Sequence, residues 1–332
     1  MRNRIILFEK RPFGKVTDDC FRLIDMAVPQ PVDGEVLLKT LYVSVDPYLR
    51  GRMSNVRSYT APYKTGEPMR SGLVAEVIES KHPDFEVGEF VAARMNWAEY
   101  QVSNGEGLLK VDPNVAPLSA YQGVLGMPGL TAYLGLTEIG RPQPGETLVV
   151  SGAAGAVGST AGQIGKIMGC RVIGIAGSEE KIQILKTEFG FDEAVNYKTT
   201  TRMYKTISKM CPDGVDIYFD NVGGDISDGV VMNIRKFARV IVCGNISQLN
   251  ETRIPMGPRL QPSLLVNSAT MKGFIVRDYA GKFPDAAKQL THWFTEGKLK
   301  YRETIVEGFE NIPKAFMGLF EGANIGKMMV KV

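Results

Sequence analysis

Three features of the chain predict an α/β fold: a doubly wound parallel sheet accompanied by a smaller β-rich domain. Strand and helix patterns alternate from Thr147 to Val276, which demands a parallel sheet covered on both faces. Short strand patterns broken by turn signals fill the region before about residue 125. Between them in importance stands one glycine-punctuated stretch, TLVVSGAAGAVGSTAGQIGKIMGCRVIGIAGSEEK, running from Thr147 to Lys181. It reads as strand, tight turn, helix, strand.

Taken in order, the first region carries strand patterns at Glu35 to Val45, Leu73 to Glu79, Glu89 to Ala93 and Glu99 to Val102. Pro31-Val32-Asp33-Gly34 is a turn leading into the first of these, and His82 to Glu89 is another turn. No segment of helical period appears there, so a compact, barrel-like sheet is expected. From Tyr121 the character changes: GVLGMPGLTAYLGLTEIG reads as a helical hinge, closed by the rigid connector Arg141-Pro142-Gln143-Pro144-Gly145. Strands are then expected at Thr147–Ser151, Arg171–Ala176, Ala194–Tyr197, Val215–Phe219, Arg239–Cys243 and Met271–Val276. Helical patterns lie near 179–189, 201–210, 226–236 and 261–269. A last helix, Pro284 to Thr295, stops at Glu296-Gly297, and the tail from Tyr301 is expected to return to the β-rich domain. The domains are thus expected at 1–125, 126–297 and 298–332, the third completing the first.

Composition narrows the function classes. With 332 residues, two domains of ordinary size are affordable. Apolar content of 44% and charged content of 23% describe a globular protein, and no apolar run approaches a membrane span. Ile5 to Phe8 is too short for a secretory signal. A net charge of +3 is too small and scattered to argue for nucleic acid. Cysteines 20, 170, 211 and 243 lie far apart, which fits a reduced, cytoplasmic protein. Neither they nor His82 and His292 show metal-ligand spacing, so no metal is expected.

The glycines at 152, 155 and 158 have separate physical tasks. One must take positive φ out of the strand, one must let the backbone approach a pyrophosphate, and one must let helix and strand pack closely. The first-turn amides, those of Ala156, Val157 and Gly158, and the helix dipole then meet the phosphates. A glycine pattern alone is weak in a chain with 36 glycines; its place between two strands gives it weight. The end of the second strand selects the cofactor. NAD sites usually carry a carboxylate there, whereas this chain has Ala176, Gly177 and Ser178, with Lys181 one turn on. A neutral pocket under a cation suits a 2′-phosphate, hence NADP(H). Taken singly, Lys181 is also what any solvated helix face would show.

The motifs SVDPYLRGRM (44–53), GMPGLTAYLGL (126–136), the glycine stretch, FDEAVNYK (191–198), VDIYFDNVGG (215–224), VCGNIS (242–247), MKGFIVRDY (271–279) and GFENIPKAFMGLFEGANIGKMMVKV carry a resemblance. On them the chain resembles the zinc-independent medium-chain dehydrogenase/reductases, in the prostaglandin reductase, leukotriene hydroxydehydrogenase and 2-alkenal reductase branch. The resemblance covers essentially the whole chain. It implies a GroES-like domain, a central Rossmann domain and a C-terminal return. It implies NADPH-dependent hydride transfer to the β-carbon of an α,β-unsaturated aldehyde or ketone, and a homodimer joined through the cofactor domains. A quinone reductase, or an NADPH-binding protein without turnover, would share the same fold and cofactor shell.

Carried over by position, the cofactor shell includes Gly155, Ala156, Val157, Gly177, Lys181, Tyr197, Asn221, Cys243, Phe274, Ile275, Val276 and Asn324, beside Gly152, Gly158 and Ser178 from the residues themselves. Asn221 stands at a strand's C-terminal end, where open α/β sheets bind ligands, although a turn asparagine bonding its own backbone is the ordinary alternative. Tyr48, in Asp46-Pro47-Tyr48, is the polar candidate at the substrate; resemblance puts it beside the nicotinamide, and its bland counterpart is a core tyrosine with a satisfied hydroxyl. Arg50 is expected to pair with Asp46. Thr131 and Gln261 complete the expected substrate pocket, Gln261 standing where many relatives have a tyrosine. No strong acid or base is required, because the cofactor carries the hydride chemistry.

Overall fold

The computed structural model describes residues 2–332. They form two units, one of residues 2–122 with 303–332 and the other of residues 123–302.

The first unit opens with β1 (Arg2–Phe8) and β2 (Phe21–Ala27), an antiparallel pair. Next come β3 (Val36–Ser44), α1 (Tyr48–Arg52), β4 (Arg70–Ser80), β5 (Phe90–Asn96), β6 (Tyr100–Ser103) and β7 (Leu109–Val111). The five-residue α1 lies where no helix was expected. Pro47 precedes its first residue and supplies a preset φ, which is enough for one turn but too short to show a period.

The second unit holds α2 (Met127–Leu134), β8 (Thr147–Ser151), α3 (Ala156–Ile167), β9 (Arg171–Ala176), α4 (Glu179–Thr187), β10 (Glu193–Asn196) and α5 (Met203–Met210). It continues through β11 (Val215–Asp220), α6 (Gly224–Val231), β12 (Ile234–Val242), α7 (Gln261–Val266), β13 (Thr270–Gly273) and α8 (Phe283–Thr295). All six strands are parallel, in the order β10-β9-β8-β11-β12-β13. This is the Rossmann order, and the direction of winding reverses between β8 and β11. Val149, Val150, Ile173, Ile175, Phe219 and Val240 are fully buried, as strands covered on both faces require.

Two expected elements are corrected. The helix read over 226–236 stops at Val231, where Asn233 Nδ2 caps it by donating to Gly229 O (2.8 Å) and Tyr204 O (2.9 Å). The strand read from Arg239 begins at Ile234 instead, and its register against β11 slips between Val215 and Ile217. The slip holds Phe237 at φ +64°, a conformation that pattern reading does not anticipate.

The tail returns to the first unit as β14 (Glu303–Glu307), α9 (Ile312–Gly318) and β15 (Lys327–Lys331). β15 pairs antiparallel with β3, and the sheet runs β14-β15-β3-β4-β5-β7 with β6 also on β3. Its core gathers Phe8, Trp97, Phe309 and Phe316, so residues from both chain termini share one apolar interior. Burying each such ring is worth roughly 1.5–3 kcal/mol.

Candidate active site

In the second unit, the functional geometry concentrates at the C-terminal ends of β8 and β11, the point where winding reverses. Gly152 leaves β8 at φ +59°, and a Cβ there would lie 3.4 Å from Asn221 Cβ. Gly155 caps α3 without a side chain, which leaves the first-turn amides of Ala156, Val157 and Gly158 to an external anion. Gly158 is the tightest of the three: a Cβ would stand 2.3 Å from Gly152 O and 2.8 Å from Ala153 Cα, both backbone atoms. Gly158 is therefore where α3 packs directly onto the backbone of the turn, and any side chain there would push the helix and its first-turn amides away.

Asn221 is held by the neighbouring strand rather than by its own turn. Its backbone N–H donates to Ser151 Oγ (2.9 Å) and its Nδ2 to Ser151 O (2.8 Å), which leaves the amide oxygen to a ligand. The hub beneath is Asp220, unremarked in the sequence. Its Oδ1 accepts from Ser151 Oγ (2.9 Å), Tyr218 Oη (2.8 Å) and the N–H groups of Val222 and Gly223 (3.0 Å each). The clue available was an Asp followed by Asn-Val-Gly-Gly, an Asx-turn composition. The Cys243 N–H donates to Asp220 O (2.8 Å), and burial first, then the Asp220 charge, pushes the Cys243 thiol up to about 12. The thiol stays neutral, a packing surface and not a nucleophile.

At the tip of β9, Ser178 caps α4 by accepting from the Lys181 N–H (3.3 Å). Tyr197, past the end of β10, lays its ring over Gly177, where a Cβ would come within 2.9 Å of it. Burial, and then the charge of Lys198, lower the pKa of the half-buried Lys181 ammonium, with Glu180 opposing. Lys198 was missed; the signal was its adjacency to Tyr197. Glu179 is turned to Asn196 Nδ2 (2.8 Å). Two mutually repelling cations at a strand tip that lacks a carboxylate suit a phosphate dianion.

The segment of Phe274, Ile275 and Val276 was expected to be strand. The strand instead ends at Gly273, because Val276–Lys282 winds into a 3₁₀ segment, and Phe274 stacks edge-on with Tyr279 at 6.3 Å. Thr131 Oγ1 donates back to Met127 O (2.7 Å) within α2, and Gln261 is exposed at the start of α7.

The remaining candidates belong to the first unit. Asn324 Nδ2 donates to Gly326 O (2.8 Å), the local bond of an ordinary turn. Tyr48 is the first residue of α1, and its hydroxyl makes no hydrogen bond among the described residues. Burial chiefly, and then Asp46, raise the phenol well above its usual pKa, so it is a proton-bearing donor at any working pH. The Arg94 guanidinium carbon sits 5.5 Å from its ring centre. The expected pairing of Arg50 with Asp46 is corrected. Asp46 is bound by the buried Lys327 Nζ (2.8 Å) and by Ser44 Oγ (2.5 Å), while Arg50 donates to Ser54 Oγ and Gly14 O (2.8 Å each). The returning tail supplies Lys327, a partner 281 residues away that local reading does not find. Among the described residues no three His, Cys, Asp or Glu side chains come together as a metal site.

Residues 4–111 match the family model for the N-terminal domain of oxidoreductase, and residues 156–293 that for zinc-binding dehydrogenase. A putative NADP-dependent oxidoreductase of Bacillus subtilis is 53% identical over 98% of this chain and 97% of its own length. The NADPH-dependent curcumin reductase of Escherichia coli is 42% identical over 100% and 97%. Prostaglandin reductase 1 of Oryctolagus cuniculus is 46% identical over 96% and 90%. The crystal structure of CurA from Vibrio vulnificus in complex with NADPH superposes with a TM-score of 0.94 at 46% identity, covering 99% of each chain.

Proposed function

Because the chain belongs to the zinc-independent branch of the medium-chain dehydrogenase/reductases and is an NADP-dependent oxidoreductase, we propose that it reduces the carbon–carbon double bond of α,β-unsaturated aldehydes and ketones. The observation that carries this reading is the Tyr48 hydroxyl: protonated, half-buried, and without a hydrogen-bond partner among the described residues. Reduction at the β-carbon moves negative charge onto the carbonyl oxygen, and a neutral donor aimed at that oxygen is what the step needs.

The residues divide the work. Gly152, Gly155 and Gly158 admit the pyrophosphate to the amides of Ala156, Val157 and Gly158. Ser178, Lys181, Tyr197 and Lys198 hold the 2′-phosphate, and Asn221 offers its free amide oxygen at the strand end. Phe274, Ile275 and Val276 present backbone just beyond β13, and Cys243 a neutral thiol beyond β12. NADPH, when bound, supplies the hydride. Tyr48 holds the carbonyl oxygen and strengthens its hydrogen bond as the enolate forms; the α-carbon proton is drawn from water. Asp46 and Lys327 fix the turn that aims Tyr48. We propose Thr131 and Gln261, both of the second unit, as further substrate contacts.

The reading extends to a cytoplasmic homodimer. The four cysteines are free thiols, in keeping with a reducing compartment, and among the described residues no helix is long and apolar enough to cross a membrane. β13 is an edge of the sheet, and Leu265 and Val266 before it are 80% and 70% exposed, an apolar edge for a second copy to cover.

The test is NADPH oxidation against 2-alkenals, an aryl enone and a quinone, repeated with NADH. Turnover of alkenal or enone to the saturated carbonyl, with NADPH preferred, is expected. Turnover of the quinone alone would make it a quinone reductase, and tight NADPH binding with no acceptor consumed would make it a non-catalytic binder.

A further inference from the structure

We propose that Asp220 is a positioning residue for the nicotinamide half of the cofactor: its buried carboxylate joins the ends of β8, β11 and β12 into one platform and favours the oxidised, cationic ring over the neutral reduced one. The inference rests on the cofactor sites proposed above, and not on which acceptor is reduced.

The first observation is a contrast between two glycine turns. The turn after β8 has Gly152 at φ +59°, and the turn after β11 has Gly223 and Gly224 at φ +72° and +60°. Successive N–H groups in such turns form anion-binding hollows. After β8 the amides of Ala156, Val157 and Gly158 are left for an external anion. After β11 the N–H groups of Val222 and Gly223 already donate to Asp220 Oδ1 (3.0 Å each). The second turn thus carries its own anion and repels another. With the pyrophosphate at the first turn and the 2′-phosphate at Lys181 and Lys198, the half of the dinucleotide that crosses the reversal point toward β11 and β12 is the nicotinamide half.

The second observation is what Asp220 joins. Its Oδ1 also accepts from Ser151 Oγ (2.9 Å), at the end of β8, and from Tyr218 Oη (2.8 Å), within β11. Its backbone oxygen accepts the N–H groups of Cys243 (2.8 Å) and Gly244 (3.0 Å), just past β12. Ser151 Oγ in turn accepts the Asn221 N–H (2.9 Å). Asn221 and Cys243, two of the proposed cofactor contacts, are therefore placed through one residue.

The third observation is charge. Asp216 and Asp220 are the buried carboxylates among the described residues, 7% and 3% exposed. Asp216 has a cation, Arg235 Nε at 3.5 Å, whereas Asp220 takes part in no ion pair among the described residues. The four donors on its Oδ1 are two hydroxyls and two amides, which satisfy the carboxylate without cancelling its charge. The field reaches the next strand end: after burial, it is the Asp220 charge that pushes the Cys243 thiol up. Hydride transfer to an acceptor, completed by a proton from water, leaves a positive charge on the ring that gave the hydride. A fixed negative charge in low-dielectric surroundings favours that form.

The experiment measures dissociation constants with no acceptor present, by calorimetry for NADP⁺ and adenosine 2′,5′-bisphosphate and by fluorescence for NADPH. Asp220→Asn keeps the acceptor oxygen and removes the charge. It is expected to weaken NADP⁺ binding by roughly tenfold more than NADPH binding, while adenosine bisphosphate, the half that carries the 2′-phosphate, binds as before. Ser151→Ala keeps the charge and removes one link of the platform, so it should weaken NADP⁺ and NADPH alike and leave their ratio unchanged. A merely structural carboxylate would weaken both dinucleotides equally in Asp220→Asn, and that result overturns the proposal. Loss of adenosine bisphosphate affinity in the same variant overturns it too, because the damage then spans the whole site. Wild type decides if Asp220→Asn does not fold: NADP⁺ is expected to bind at least as tightly as NADPH, and a preference of about tenfold for NADPH overturns the proposal. Absence of binding by all three nucleotides in wild type overturns the cofactor sites, and the proposal with them. Failure to reduce any enone, with the Kd ratio shifted as expected, overturns the reductase reading alone.

Discussion

The glycine turn after β8 and the corner around Tyr48 are built by opposite means. At the turn, function lies in what side chains are missing: a Cβ on Gly158 would lie 2.3 Å from Gly152 O, and positive φ at Gly152 belongs to glycine. At the Tyr48 corner, function lies in side chains gathered from distant positions: Arg94 of β5 sits over the tyrosine ring, Asp46 acts on its hydroxyl, and Lys327 of β15 holds Asp46. Backbone-made sites restrict residue type locally, whereas side-chain-made sites depend on packing that no short window contains. The two should therefore break differently.

The largest effect is expected at the turn. Gly158→Ala cannot be absorbed by a rotamer change, because both close atoms are backbone, so α3 must move off β8. Overpacking of this kind costs about 1–3 kcal/mol, and here the displaced amides are also the anion site. A fall in thermal midpoint together with loss of NADPH binding by fluorescence titration is expected. Unchanged NADPH affinity in a folded Gly158→Ala protein would show that the turn does not set the cofactor's approach.

At the corner, the expected effect is confined to chemistry. Tyr48→Phe removes one donor, keeps the ring under Arg94, and should leave NADPH affinity alone while lowering kcat by roughly 10²–10³. Since burial and Asp46 keep the phenol protonated well past its ordinary range, wild-type kcat should stay flat on the alkaline side up to at least about pH 10. An alkaline limb in kcat near an ordinary phenol pKa, absent from Tyr48→Phe, would mean the hydroxyl is not so shielded.

The same division explains what was legible beforehand. The βαβ unit was readable because β-branched runs, glycines and a 3.6-residue period each report local backbone. The missing carboxylate at the β9 tip was readable for the same reason. The slip in β12 was not, since Phe237 takes positive φ only because β11 beside it pairs out of step. Asp46 shows the limit most clearly: its nearest sequence cation, Arg50, turns to Ser54 and Gly14, and the ion-pair partner arrives from β15. Asp220, a single buried carboxylate holding four donors, looked like any turn residue.

The smallest expected effect lies between these extremes, at the β9 tip, where local legibility and tertiary packing meet. Lys181 was readable, but Lys198, which lowers its pKa, was not. A lysine with a lowered pKa loses its charge at lower pH than a free one as pH rises. The NADPH KM should therefore climb on the alkaline side while kcat, governed by the Tyr48 donor, does not follow. NADH lacks the 2′-phosphate and should show no such climb. Lys181→Met should raise the NADPH KM by about tenfold, the value of one charge-assisted hydrogen bond, and flatten the alkaline rise that remains. If Lys181→Met leaves that rise in place and Lys198→Met removes it, the phosphate is held chiefly by the lysine that the sequence pattern did not reveal. The β9 tip would then belong with the Tyr48 corner, as a site made by packing.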